Sequence, residues 1–376
     1  MEFFMRTMIW IPVVVVSLVL ITSPARAFHD GGVAYCAGCH TMHVSQNGGP
    51  GYHWTPGGNP DLLMYGNATD TCVRCHYFRG QMSNGLGRGP GGDFYWLTKT
   101  FTWSTPEGAT ASSPGHTHGH NVVCNVFNVP ADPLLQHAPG GDFLSSELGC
   151  TSCHDPHGNQ NFRMLYDSQI GPRYVGDTRF AFTADAPLAR GNAGTTLVGG
   201  GADETDARHT VYKSGFGEWC ANCHAAMFDG AGVSHAHPAD VALGTTIADH
   251  YNGYLSTDQP GGGDPTISYR GLVPFEAVDV DLSAVDPANA TAGPGPGDRV
   301  TCLTCHRAHA TPFADAGRWD FAATFLEADS HPRSGDGGAS PQDIANRYYG
   351  YVFSPNQRSL CNKCHVKDFG DAPRDR

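Results

Sequence analysis

Cysteine and histidine recur in one spacing along this chain of 376 residues. The units are Cys36-Ala-Gly-Cys39-His40, Cys72-Val-Arg-Cys75-His76, Cys150-Thr-Ser-Cys153-His154, Cys220-Ala-Asn-Cys223-His224, Cys302-Leu-Thr-Cys305-His306 and Cys361-Asn-Lys-Cys364-His365. Together they use 12 of the 13 cysteines. Two thiols three residues apart, with an imidazole directly after them, suit attachment of a c-type haem. The sulfurs form thioethers to the porphyrin edge and the imidazole binds iron from one face. One helical turn brings all three groups to one side. A disulfide framework, a zinc site or a thiol redox pair has no need of a histidine after every cysteine pair. The expected cofactors are six covalently attached c-type haems.

Each iron then has one open face. The chain after residue 27 offers fourteen further histidines and five methionines (Met42, Met64, Met82, Met164, Met227). Bis-histidine coordination at six irons is possible by count, whereas six methionine ligands are not. A second histidine also keeps the reduction potential lower than methionine does. The first, third and fifth units continue as C-x-x-C-H-x-x-H, giving His43, His157 and His309; the other three have Arg79, Met227 and Asp368 at that offset. Histidines three apart on a helix leave the same face, so each second histidine is placed to bind the iron of a neighbouring haem. The alternation predicts odd–even neighbours along a line.

The elements that must position these groups are sparse. Residues 1–27 read as an export signal: Arg6, an apolar core from Met8 to Ile21 and the small-residue site Ala25-Arg26-Ala27. That core is too short for a bilayer, which needs about 20 apolar residues, and no cysteine follows it to carry a lipid, so no membrane anchor is expected. Residues 28–376 are expected to form a single hexahaem domain working outside the cytoplasm. Their net charge is near −14, which excludes a basic nucleic-acid footprint. Ile, Leu, Val and Phe number only 58 of these 349 residues, and Gly and Pro total 74 in the whole chain. Such a composition with high net charge ordinarily signals disorder. Six large flat macrocycles resolve the conflict by serving as the core, and they make folding depend on haem. The predicted fold is a multihaem c-type cytochrome: mostly coil and turns, a few short helices, six stacked haems inside and little β-structure. Helices are expected at 218–228 and from Pro341 to Tyr349, the latter with Ser340 as N-cap and Gly350 at its end. Stretches 84–92, 258–265 and 293–297 read as loops. Cys124 stands outside any unit, as a buried small residue or an oxidisable thiol. His116, His118 and His120 are close enough in sequence to suggest an extra metal site.

Several blocks go beyond haem attachment: FHDGGVAYCAGCHTMH (28–43), PGGDFYWLTKTFTW (90–103), GHNVV (119–123), APGGDF (138–143), CTSCHDPHG (150–158), EWCANCH (218–224), HP (237–238), CLTCHRAHA (302–310) and QRSLCNKCHVKD (357–368). In order and spacing they resemble the OmcS-type extracellular hexahaem cytochromes, a family of nanowire filament subunits, with little match at 165–215, 225–235 and 245–300. The resemblance implies six second axial ligands, His29, His43, His120, His157, His237 and His309. It also implies that His43 bridges to the haem held by Cys302 and Cys305 of the next subunit. His53, His116, His118, His137, His209, His235, His250 and His331 are left structural or solvated. The expected function is extracellular electron transfer, without enzymatic turnover, by a head-to-tail homopolymer. Its partners are other multihaem cytochromes and extracellular acceptors such as metal oxides or other cells, reached via the periplasm. Two alternatives are a monomeric periplasmic electron shuttle and a reductase of small nitrogen or sulfur oxyanions. The reductase needs an iron with a vacant face, often marked by C-x-x-C-K, and every unit here ends in histidine.

Overall fold

A computed structural model of the chain describes residues 36–41, 45–46, 49–50, 59–77, 82, 89–169, 173–175, 178–191, 204–229 and 239–366. The expected export signal, His29, His43 and His237 lie outside the described residues. Within them, regular structure is short and scattered. Four hairpins, β1 (Ser45–Gln46) with β2 (Gly49–Pro50), β3 (Phe101–Ser104) with β4 (Thr110–Ser113), β5 (Arg173–Val175) with β6 (Thr178–Phe180) and β7 (Leu188–Arg190) with β8 (Val211–Ser214), are each antiparallel and two-stranded. No larger sheet forms among the described residues. Stretches 258–265 and 293–297 are loops, and 89–92 is a turn. No described helix is long and apolar enough to cross a membrane.

Among the described residues, four of the seven α-helices carry attachment units. Helix α1 is the single turn Cys36–Cys39, and α2 is Ala68–His76, which ends on the second unit's histidine. Asn67 caps α2 by accepting from the Asp70 backbone N–H at 2.7 Å, satisfying one of the donors a helix start leaves open. Helix α3, Phe216–Asp229, contains the whole fourth unit, and its backbone leaves helical geometry at His224 (φ −123°, ψ 42°). Helix α4 is Gly244–Gly253, and α5 is the single turn Cys302–Cys305, where the Thr301 N–H donates to Thr304 Oγ1 (3.0 Å). After α6 (Leu326–Asp329) comes α7, Pro341–Asn346, capped by Ser340 and Asp343. It stops three residues before the sequence suggested: Tyr349 takes φ 54° and Gly350 φ 85°, and the left-handed backbone ends the helix.

What protein core exists is aromatic and divided. One cluster joins Tyr251, Phe275, Phe313, Trp319 and Tyr348, with the sulfur-bearing residues Cys305 and Cys364 packed on its edge. A second gathers Val73, Phe94, Trp96, Phe101 and Val122 around Cys124. Trp96 Nε1 donates to the Tyr349 hydroxyl (3.1 Å), which donates to the Ala310 carbonyl (3.0 Å), so residues 96, 310 and 349 are tied through one phenol. Cys124 is fully buried and its backbone pairs with Val129 in both directions at 2.9 Å. Burial pushes its thiol up to about 12, so the buried small residue is the reading that holds.

Candidate haem sites

In the first, third and fifth units the backbone after the histidine pairs with a later segment in the same way. His40 pairs with Leu63, His154 with Leu165 and His306 with Gly317, each in a short antiparallel bridge. Two residues ahead of each partner the backbone turns left-handed: Asp61 and Leu62, Arg163 and Met164, Asp315 and Ala316 all have φ between 50° and 58°. That turn aims a carbonyl at the imidazole. His40 Nδ1 donates to Asp61 O (2.9 Å), His154 Nδ1 to Arg163 O (2.9 Å) and His306 Nδ1 to Asp315 O (2.7 Å). In the fourth unit, His224 Nδ1 donates to Pro139 O (2.9 Å), and the Ala226 N–H donates to Gly140 O (2.9 Å). A carbonyl can only accept, so Nδ1 carries the proton and Nε2 keeps its lone pair for a metal. Sequence inspection did not find these clips. Their one signal is faint, Asn-x-Asp-Leu-Leu at 59–63 against Asn-x-Arg-Met-Leu at 161–165.

Three of the expected second ligands face a unit histidine. The ring centroids of His40 and His157 are 6.2 Å apart, those of His154 and His309 6.4 Å, and those of His224 and His120 6.0 Å. Two imidazoles on opposite faces of one metal, each bonded at about 2 Å with its ring centre about 1 Å further out, stand about 6 Å apart between centroids. The residues present therefore fit bis-histidine iron. The second histidines of the third and fifth units face the preceding odd unit, however, and not an even neighbour. A bridged strand crossing dictates this: the His309 N–H donates to Gly91 O (2.7 Å), the His120 N–H to His309 O (2.9 Å) and His120 Nδ1 to Ala308 O (2.6 Å). His309 also stacks on Phe94 at 4.4 Å. Burial lowers the imidazoles of His120, His154 and His306, and burial with the charge of His154 lowers His309 to about 3. Neutral imidazole is the form that binds metal.

The cysteine sulfurs run in sequence order. No described cysteine is in a disulfide. Cys39 senses Cys75 electrostatically, Cys72 hydrogen-bonds Cys150, Cys220 senses Cys153 and hydrogen-bonds Cys302, and Cys305 senses Cys361 and Cys364. Each attachment unit thus adjoins the next, from first to sixth. Three other described histidines have structural partners. His118 is fully buried, with Nδ1 at 2.9 Å from Trp96 O and Nε2 at 2.8 Å from Ser113 Oγ. His209 spends both nitrogens on the Thr210 and Ala290 carbonyls, and His331 binds Asp336 and stacks on Trp103 at 3.7 Å. With both His118 nitrogens taken, the suggested extra metal site at 116–120 does not form. No group of three or more His, Cys, Asp or Glu side chains able to hold a metal ion occurs among the described residues.

Repeated cysteine pairs, imidazoles with a free Nε2 and a coil-rich chain with sparse core define a multihaem c-type cytochrome carrying six covalently attached haems. A family described as the doubled CXXCH motif matches residues 144–172. The C-type cytochrome OmcS of Geobacter sulfurreducens is 32% identical over 94% of this chain and 98% of its own length. Two solved structures, one of OmcS nanowires and one of an outer membrane cytochrome S filament from the same organism, each superpose with a TM-score of 0.75 at 30% identity. They cover 91% of this chain and 100% of theirs. The chain belongs to the OmcS family of c-type cytochromes.

Proposed function

We propose that this protein is the subunit of an extracellular, head-to-tail filament that conducts electrons through a continuous run of haems. When bound, the haems supply the redox chemistry, iron passing between ferric and ferrous. The protein fixes their separation, solvent access and potential. The carbonyl clips orient His40, His154, His224 and His306, and the facing histidines His157, His309 and His120 close the first, third and fourth irons. With both faces closed by imidazole, an iron exchanges electrons but offers no place to a substrate, so the protein acts as a conduit and not as a reductase. His76, His306 and His365 then take their second ligands from His29, His43 and His237.

One observation carries the filament reading. The second histidine of the fifth unit faces the third, and that of the third faces the first. By the same step His43, in the first unit, has no earlier odd unit in its own subunit. Its counterpart is the fifth unit of a neighbour, where His306 waits with an oriented ring. A contact of this kind is heterologous and does not close, which gives an open filament. Structural similarity to two OmcS filaments supports the same assembly. Residues 28–376 work as one unit after removal of residues 1–27, and the filament delivers electrons to acceptors such as metal oxides, other cells or other multihaem cytochromes. The test is His43→Ala: filaments are expected to fall to monomers or short oligomers by electron microscopy, with one of the six haems turning high-spin. Filaments of normal length would rule the bridge out.

A further inference from the structure

A carboxyl pair lies where the fourth and fifth attachment units meet. Glu276 is fully buried and its Oε1 accepts from the Phe216 backbone N–H at 2.9 Å. Asp240 Oδ2 accepts from the Glu218 N–H at 3.2 Å. Both donors belong to the first turn of α3, the helix that carries Cys220, Cys223 and His224. Gly217 makes the approach possible, since a Cβ there would sit 2.6 Å from Asp240 Oδ2. The two carboxyl groups are thus held by backbone donors two residues apart. Their remaining oxygens, Glu276 Oε2 and Asp240 Oδ1, are buried, and neither meets an N–H or hydroxyl donor among the described residues. Burial without a donor disfavours the charged form of Glu276, and a proton on its carboxyl supplies the missing donor.

The surroundings favour that proton. Glu276 pairs through its backbone with Arg299 (2.9 and 3.0 Å) and with Tyr212 on β8. The Arg299 guanidinium acts on it as a cation, against the carboxyl of Asp240. Burial and Asp240 outweigh Arg299 and the Phe216 N–H, and hold the Glu276 carboxyl up at about 7. On the other side is Cys302, whose sulfur feels both carboxyls and touches that of Cys220. The pair therefore sits at the sulfur edge shared by the fourth and fifth haem sites. Glu276 is remote in sequence from every histidine assigned to iron, and Asp240 follows His237 by three residues.

The geometry points to Glu276 and Asp240 as a proton-binding site that couples proton uptake to electron arrival at the fourth or fifth haem. An electron that reduces ferric iron to ferrous at that site adds one negative charge nearby. The Glu276 carboxylate answers by taking up a proton from hydronium in the surrounding water. One O–H bond forms at Glu276 as one O–H bond of hydronium breaks to leave water, and the electron comes from the haem run itself. The inference rests on haem attachment at Cys220 and Cys302, which the haem content of the same sample checks separately.

The test is a redox titration of wild-type filaments, followed by haem absorbance, at several values between about pH 5 and pH 8. One haem should have a reduction constant that falls up to tenfold for each unit rise in pH, about 59 mV for a one-electron couple. Glu276→Gln and Asp240→Asn should each flatten that dependence and leave the other five haems unchanged. An unchanged slope in both variants would assign the proton to haem propionates and overturn the proposal. Should either variant lose haem, infrared redox difference spectra of the wild type decide. A protonated-carboxyl C=O band must gain intensity on reduction, and its absence overturns the proposal as firmly.

Discussion

At the scale of the residue, the reach of a histidine is set by what holds its Nδ1. His118 and His120 stand two apart, yet both nitrogens of His118 are consumed while His120 gives only Nδ1 to Ala308 O. Spacing and composition do not separate the two, because the partners are carbonyls and a hydroxyl brought in by folding; the resemblance at GHNVV (119–123) alone singled out His120. The six unit histidines, in contrast, were legible at once, since covalent attachment fixes ligand and sulfur within one turn. The facing pairs lead to a direct expectation. His157→Ala should leave the first haem five-coordinate and His309→Ala the third, so that one haem in six becomes high-spin and binds carbon monoxide; six low-spin haems in either variant would remove that histidine from the ligand set. Glu276 supplies a second. Its folded value, about 7, lies above the ordinary 4.5, so the native state holds a proton that the unfolded chain releases. Stability from this group is full below about pH 4.5 and is lost as pH rises to about 7, with a slope of at most about 1.4 kcal/mol per pH unit. Denaturant midpoints of wild type and Glu276→Gln should therefore converge or cross over that interval. Parallel curves would show that the carboxyl is ionised when buried.

At the scale of the element, four described helices each carry one attachment unit and none carries two. The Ser340-Pro341 start of α7 and the helix around Cys220 were legible from cap chemistry and spacing, and the structure keeps both. The carbonyl clips were not, because left-handed φ at Asp61, Arg163 or Asp315 falls on residues without the glycine that usually announces it. Nor were the hairpins, which pair four or fewer residues and carry little alternation. The crossing of segments 91–93, 119–120 and 309–311 is the joint on which two second ligands depend. Gly92 has φ 82°, and a Cβ there would lie 2.1 Å from Ala310 O. Gly92→Ala should separate the 91–93 and 309–311 backbones, costing about 1–3 kcal/mol for the strained conformation alone, and should loosen His309. The expected readout is a lower denaturant midpoint with partial high-spin character at the third haem; an unaltered spectrum and midpoint would show that the crossing does not hold His309.

At the scale of the whole molecule, the divided aromatic clusters are too small to organise 349 residues without help, as the sparse aliphatic content already indicated. Chain produced without haem attachment should lack cooperative unfolding and be digested rapidly by protease, and a cooperative transition in the apoprotein would show that side chains suffice. The order of the attachment units in space follows their order in sequence, but the ligand exchange among odd units does not, and that has a consequence in time. A chain that emerges from its N-terminus makes His40 long before His157, and His154 long before His309. The first iron stays open on one face until the third unit arrives, and the third until the fifth. Maturation is thus locked from behind, each segment sealing one already in place. In the proposed filament His43 reverses the order: it is among the first ligands made and the last to be used, because the haem it is proposed to reach belongs to another molecule.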